Sequence, residues 1–138
     1  MPAVKTVTAV VPREPVACWR AFTDQSTLVA WVPGLRRAQI ISLGPRGLAA
    51  EVHFEYADSL VYTLVYTYDR EGYGFSWEPK LGKRDGVSGS VRFDPAEGGG
   101  TKMTYSLAHG DGRDDREREL GDPQALVDAF VAWITARR

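Results

Sequence analysis

Hydrophobic residues recur at every second position over most of this chain and switch to helical spacing in a few stretches. Residues 3–11, A-V-K-T-V-T-A-V-V, alternate as a strand that Pro12 ends. Pro15 opens a short helix with Val16, Trp19 and Phe22 spaced three apart. Thr23-Asp24-Gln25-Ser26 breaks it and caps a second helix, whose inward stripe is Leu28, Trp31 and Val32 and which Pro33-Gly34 stops. Strands are then predicted over 35–43, 47–56, 60–69, 72–79, 86–94 and 101–109.

The alternation is clearest at 47–56, where Leu48, Ala50, Val52, Phe54 and Tyr56 face a core and Ala49, Glu51, His53 and Glu55 face away. Leu60, Tyr62, Leu64, Tyr66 and Tyr68 share a side of the next strand, and Tyr73, Phe75 and Trp77 share a side of the one after. Val87, Gly89, Val91 and Phe93 form the next such set, then Thr101, Met103, Tyr105, Leu107 and His109. Short connections, including G-G-G at 98–100, predict antiparallel hairpins. The chain closes on a helix over 123–137, with Asp122 as N-cap and Pro123 in the first turn. Leu126, Val127, Phe130, Val131, Trp133 and Ile134 fall on one side of it, opposite Gln124, Asp128 and Thr135, and Arg137 and Arg138 suit its negative end. So apolar a stripe needs a large partner surface, which only the strands can supply. The order is strand, two helices, six strands, helix: an α+β chain whose antiparallel seven-stranded sheet holds one long C-terminal helix.

Composition narrows the function. A length of 138 residues suits a single domain over 1–138 with a sizeable core. A net charge of −1 offers no broad positive field, so nucleic acid is not an expected partner. No stretch approaches the roughly 20 apolar residues of a membrane span, and a cytoplasmic protein without integral membrane association is expected. Cys18, the single cysteine, sits in an apolar helical stretch and is expected in the core. The segment 111–119, D-G-R-D-D-R-E-R-E, mixes signs and is expected to be a solvated linker.

The order and local sequences resemble the helix-grip fold of the SRPBCC superfamily, which includes the START lipid-transfer domains, the birch-pollen allergen and the bacterial polyketide cyclase/dehydrase family. The resemblance rests on V-P-R-E-P-V-A-C-W-R-A-F-T-D at 11–24, A-W-V-P-G at 30–34, Y-T-Y-D at 66–69, F-S-W at 75–77, G-G-T-K-M-T-Y at 99–105 and the final helix. It is nearest to the small bacterial cyclase/dehydrase and coenzyme-Q-binding-like group. It implies a strongly curved sheet gripping the helix, and a cavity between them for a small hydrophobic or aromatic molecule such as a lipid, quinone or polyketide. It also leaves open a cyclase or dehydratase activity, or a ligand-free interaction module.

On this footing the candidate ligand-binding residues on the strands are Phe54, Tyr66, Tyr68, Trp77, Met103 and Tyr105. Leu126, Phe130 and Ile134 are the candidates on the helix, and Trp31 is a candidate at the pocket entrance. Each has an ordinary alternative as a core side chain, since aromatics favour strands. The tyrosines Tyr66, Tyr68 and Tyr105 add weight to the functional reading, because a buried hydroxyl needs a partner. An empty cavity of about 300 Å³ would cost on the order of 7 kcal/mol against a total stability of about 5–15 kcal/mol, so either ligand or water fills such a pocket, or these aromatics close it and no site exists.

Catalytic candidates are sparse. His53 lies between Glu51 and Glu55 on the outward face, while His109 has inward parity at a strand end and could serve as an acid/base at the pocket mouth. For a cyclase, Tyr66, Tyr105, Glu78 and Arg92 are the possible proton carriers, although Glu78 and Arg92 have outward parity. Two histidines and one cysteine without ligand spacing predict no metal site, and no cofactor is expected.

Overall fold

The computed structural model describes residues 4–56, 61–69, 72–80, 87–109 and 122–136. Its strands are β1 (Val4–Val11), β2 (Leu35–Leu43), β3 (Ala49–Tyr56), β4 (Val61–Tyr68), β5 (Tyr73–Pro79), β6 (Val87–Pro95) and β7 (Thr101–His109). Its α-helices are α1 (Pro15–Thr23), α2 (Gln25–Trp31) and α3 (Pro123–Ala136), with a short 3₁₀ turn at Pro45–Gly47. The strands form one antiparallel sheet in the order β1-β7-β6-β5-β4-β3-β2. The first two strands are thus the two edges, and α1 and α2 carry the chain across the concave face from one edge to the other. With α3 on the same face, this is the predicted helix-grip arrangement.

Local chemistry explains the elements. Asp24 caps α2 by accepting from the Ser26 amide at 3.0 Å. Asp122 does the same for α3, accepting from the Ala125 amide at 3.3 Å and from Lys5 Nζ of β1 at 3.2 Å. Burial alone would raise the Asp122 carboxyl, but these two donors outweigh it and hold it below its ordinary value. At the other end of α3, Arg13 Nη2 donates to the Thr135 carbonyl at 2.9 Å. The sequence pattern assigns this task to Arg137 and Arg138, which lie outside the described residues. The two tethers make α3 run alongside β1, with its N-terminus near Lys5 and its C-terminus near Arg13.

The hairpin between β6 and β7 needs its glycines. Gly100 has φ 81°, and a Cβ there would lie 2.6 Å from the Val11 carbonyl oxygen, so this turn also seats the end of β1. Thr101, wholly buried, then donates its hydroxyl to the Arg13 carbonyl at 2.6 Å.

Burial follows the strand parities with informative exceptions. Val52, Phe54, Leu64, Phe75, Trp77, Val91, Phe93, Met103, Tyr105 and Leu107 are buried as predicted. Ala49 is buried in place of Ala50, because irregular pairing between β2 and β3 around Ser42 shifts the alternation there. Tyr73 is 40% exposed and leans on Trp19, so its parity does not place it in the core. On α1 the buried side is Cys18, Ala21 and Phe22, with Val16 and Trp19 half-buried. Cys18 is wholly enclosed, and burial pushes its thiol pKa up. Leu60, the 111–119 segment and the side chains of Tyr62 and His109 lie outside the described residues.

The centre of the core is Phe130 of α3, which is fully buried. Its ring centroid lies 4.7 Å from Phe22 of α1, 5.0 Å from Trp31 of α2 and 6.2 Å from Phe93 of β6. Phe130→Ala should therefore cost about 3–5 kcal/mol in urea unfolding, with Gln124→Ala, on the solvent side of the same helix, within about 0.5 kcal/mol of the parent. A loss below about 1 kcal/mol for Phe130→Ala would contradict this packing.

Candidate functional site

The concave face is not filled along its whole length. Beyond Phe130, toward the N-terminal end of α3, lies a cavity of about 90 Å³. The sheet contributes Phe54, Leu64, Tyr66, Phe75, Trp77 and Tyr105 to its wall. The corner between α2 and β2 contributes Leu28, Trp31, Val32 and Leu35. Phe22, Tyr56, Val87, Leu107 and Leu126 complete the enclosure.

The cavity is far smaller than about 300 Å³. At about 24 cal/mol per Å³ a dry space of about 90 Å³ costs only about 2 kcal/mol, which a domain can sustain. It also falls short of the roughly 300 Å³ at the low end of drug-sized ligand sites. The space is partly open to solvent, and its volume suits a single ring. A larger guest requires the wall to give way, and Val32, Tyr56 and Leu126 are the half-buried side chains placed to do so.

Of the ten candidate ligand-binding residues, Trp31, Phe54, Tyr66, Trp77, Tyr105 and Leu126 line the cavity. Tyr68, Met103, Phe130 and Ile134 do not. Parity places a side chain on the concave face, but the position along the element decides which end it reaches. Met103 lies nearer the closed end of β7 than Tyr105 and Leu107, is paired with Phe93, and is wholly buried. Phe130 and Ile134 come one and two turns after Leu126, where α3 has passed from the cavity into the core. Tyr68 donates its hydroxyl to the Ala49 carbonyl at 2.7 Å, which turns it to the β3 side of the sheet. Several further residues line the cavity. Tyr56, Leu64, Phe75, Val87 and Leu107 carry the right parity, but Leu28, Val32 and Leu35 are brought in only by the tertiary contact between α2 and β2.

The position of Trp77 depends on its cross-strand partner, Gly89. A Cβ on Gly89 would meet the Ser106 carbonyl oxygen first and would lie 2.8 Å from Trp77 Cζ2, so the missing side chain leaves room for both that backbone and the indole. The Trp77 ring then sits 5.6 Å from Tyr105 and 6.3 Å from Tyr66. Tyr66 is surrounded by protein yet keeps accessible surface, because that surface is cavity wall.

Burial pushes the pKa of Tyr66 and of Tyr105 far up, and the neighbouring phenol of Tyr56 adds to both. Burial raises that of Tyr68 to about 12. These groups are therefore neutral phenols at physiological pH and cannot serve as bases. Glu78 is exposed, and Arg92 is exposed and paired with Asp69 at 3.2 Å and Asp94 at 3.4 Å. Neither lines the cavity, in keeping with their parity. His53 Nδ1 meets Thr63 Oγ1 at 3.2 Å, away from the cavity. Among the described residues no cluster of three or more His, Cys, Asp or Glu could hold a metal. No described helix is long and apolar enough to cross a membrane.

A family model described as "Polyketide cyclase / dehydrase and lipid transport" matches residues 3–136. Among solved structures, the chain is similar to a START superfamily protein from Mycobacterium smegmatis, with TM-score 0.80, 13% identity and 96% and 97% of the two chains covered. It is also similar to a protein from Thermus thermophilus, TTHA0849, with TM-score 0.77, 12% identity and 97% and 98% covered. An AHSA1-like protein from Aeromonas hydrophila aligns with TM-score 0.67 and 18% identity over 97% and 93%. At these identities the likeness concerns the fold. Among proteins of curated function none matches this chain.

The buried phenols make stability depend on alkaline pH. Their folded-state pKa lies above the unfolded value of 10.0, so the stability they contribute is complete below that pH and declines as pH rises beyond it. Urea unfolding at about pH 8 and about pH 11 should show a loss for the parent that is smaller in the Tyr66→Phe/Tyr105→Phe double variant. Equal losses in both would contradict the enclosure of these phenols.

Proposed function

Because this chain belongs to the polyketide cyclase/dehydrase and lipid-transport family, we propose that it binds a small hydrophobic or aromatic molecule in the cavity between the sheet and the N-terminal end of α3. The observation that carries this reading is the wall itself. Every described lining residue is aliphatic or aromatic, and the polar side-chain atoms among them are phenol and indole groups. An apolar enclosure with a few convergent polar groups is the usual form of a small-molecule site.

Binding is favoured over catalysis in this proposal. A cyclase or dehydratase needs a group that accepts a proton near neutral pH. Among the described side chains, those on the cavity wall are neutral and remain so. The solved structures give the fold, and the family description names both lipid transport and cyclase chemistry. That the described side chains of the wall include no Asp, Glu, His or Lys supports the first. The proposal extends to a single helix-grip unit over residues 1–138 acting in the cytoplasm as a binder or carrier.

A ring-sized guest such as toluene should shift the resonances of Trp77, Leu107 and Leu126 in NMR titration and raise the melting temperature. Leu107→Trp, which fills the space from the β7 side, should weaken binding at least about tenfold while circular dichroism shows the fold retained. Undiminished binding by a folded Leu107→Trp protein, or no binding by the parent, would contradict a site in this cavity.

A further inference from the structure

Two buried donors have nothing to bond to, and both belong to α2. Gln25, its first residue, is 7% exposed, and Trp31, its last, is 5% exposed. Neither Gln25 Nε2 nor Trp31 Nε1 has a hydrogen-bond partner among the described residues. Other enclosed polar groups follow the rule that burial requires a partner. Thr101 donates to the Arg13 carbonyl at 2.6 Å, and Tyr68 to the Ala49 carbonyl at 2.7 Å. The last helix, α3, is tied at both ends, through Asp122 and Arg13.

An unmade buried hydrogen bond costs the desolvation of its donor. The seven residues of α2 carry that cost twice, and movement out to water relieves it. What holds this helix down is apolar. Leu28 and Trp31 are buried, and the Trp31 ring lies 4.8 Å from Phe22 and 5.0 Å from Phe130. On its outer side Ser26, Val29 and Ala30 are exposed. A helix this short is marginal without its packing.

Non-helical joints bound α2 on both sides. Asp24 alone, extended at φ −95° and ψ 104°, separates it from α1. Val32, Pro33 and Gly34 separate it from β2, with Gly34 at φ 76°. Element-terminal residues of this kind absorb the φ/ψ change of a hinge. Between these joints and just beyond them lie Leu28, Trp31, Val32 and Leu35, which form one side of the cavity wall. A space that suits one ring therefore has, along that side, the segment with the least satisfied polar groups.

We propose that α2 is the movable wall of the cavity: it swings out between Asp24 and Gly34, brings Gln25 Nε2 and Trp31 Nε1 to water, and admits guests larger than one ring. This goes beyond the reading of the cavity as a binding site by naming the element that opens it, and it rests on that reading for what the opening serves.

Native-state hydrogen exchange followed by NMR, with no guest present, tests the motion. The amides of Val29–Val32 and the Trp31 indole N–H should exchange together through a local opening, at least about 100-fold faster than the amides around Phe130 after correction for intrinsic rates. Gln25→Met keeps the side-chain length and the helix propensity but removes one unpaired donor. It should slow that shared exchange at least about fivefold and leave the amides around Phe130 unchanged. Stopped-flow fluorescence then tests the purpose, with naphthalene as a two-ring probe and toluene as a one-ring probe. The association rate of naphthalene should level off with concentration, and Gln25→Met should lower that plateau by the same factor as the exchange. Exchange of α2 only together with Phe130, a Trp31 indole that exchanges apart from the α2 amides, or exchange in Gln25→Met as fast as in the parent would overturn the movable wall. So would naphthalene association that is unchanged in Gln25→Met. In each of these cases, toluene binding would leave the cavity standing as a site. Failure of both probes to bind the parent would overturn the site and, with it, the purpose of the motion.

Discussion

The contact between Phe130 and Phe22, with ring centroids 4.7 Å apart, decides how the concave face of this sheet is used. Phe130 belongs to the last helix and Phe22 to the first, and Trp31 and Phe93 close around the same ring at 5.0 Å and 6.2 Å. All three helices and the sheet meet there. These packed rings set the spacing between α3 and the sheet at this turn. Farther along, the smaller Leu126 faces Trp77 and Tyr105 without filling the distance between them. The cavity is thus a consequence of the core: a large side chain at one turn of the helix props open the turn before it. The tethers at the two ends of α3, Lys5 to Asp122 and Arg13 to the Thr135 carbonyl, keep the helix from tilting to close the gap.

Electrostatics sharpen what the shape begins. The cavity wall is enclosed enough to keep Tyr66 and Tyr105 neutral, so they are hydrogen-bonding groups without charge. The charged residues of the same strands stand on the convex face. Arg92 is held by Asp69 and Asp94, and Glu51 by Lys80 at 2.9 Å. These exposed pairs each contribute little stability, about 0–1 kcal/mol, but the alternation that produces them removes charge from the pocket side of every strand that carries them.

Much of the architecture is legible in the pattern of the chain, because a strand's period of two and a helix's period of 3.6 are local properties. The strands at 35–43 and 101–109 match the structure end to end, and the others differ by a residue or two. Fewer of the site residues are legible, for a physical reason. Parity gives one coordinate, the face of the sheet. It does not give the position along the strand at which α3 leaves the core, and that position separates Tyr105 from Met103 and Leu126 from Phe130. The role of Gly89 is hidden too, since an absent side chain shows its purpose only beside Trp77. The corner of Leu28, Val32 and Leu35 forms only when the short α2 folds back on the edge strand. Arg13 as the partner of the last helix is separated by 122 residues from its acceptor, and no local period reports such a contact.

The central claim is that the concave face divides into a filled core around Phe130 and an accommodating apolar space beside Leu126. Diffraction from crystals held under xenon measures this directly, since xenon enters apolar cavities that side chains leave open. The division predicts a xenon site among Trp77, Leu107 and Leu126, and none among Phe22, Phe93 and Phe130. Xenon beside Phe130, or no xenon beside Leu126, would contradict it.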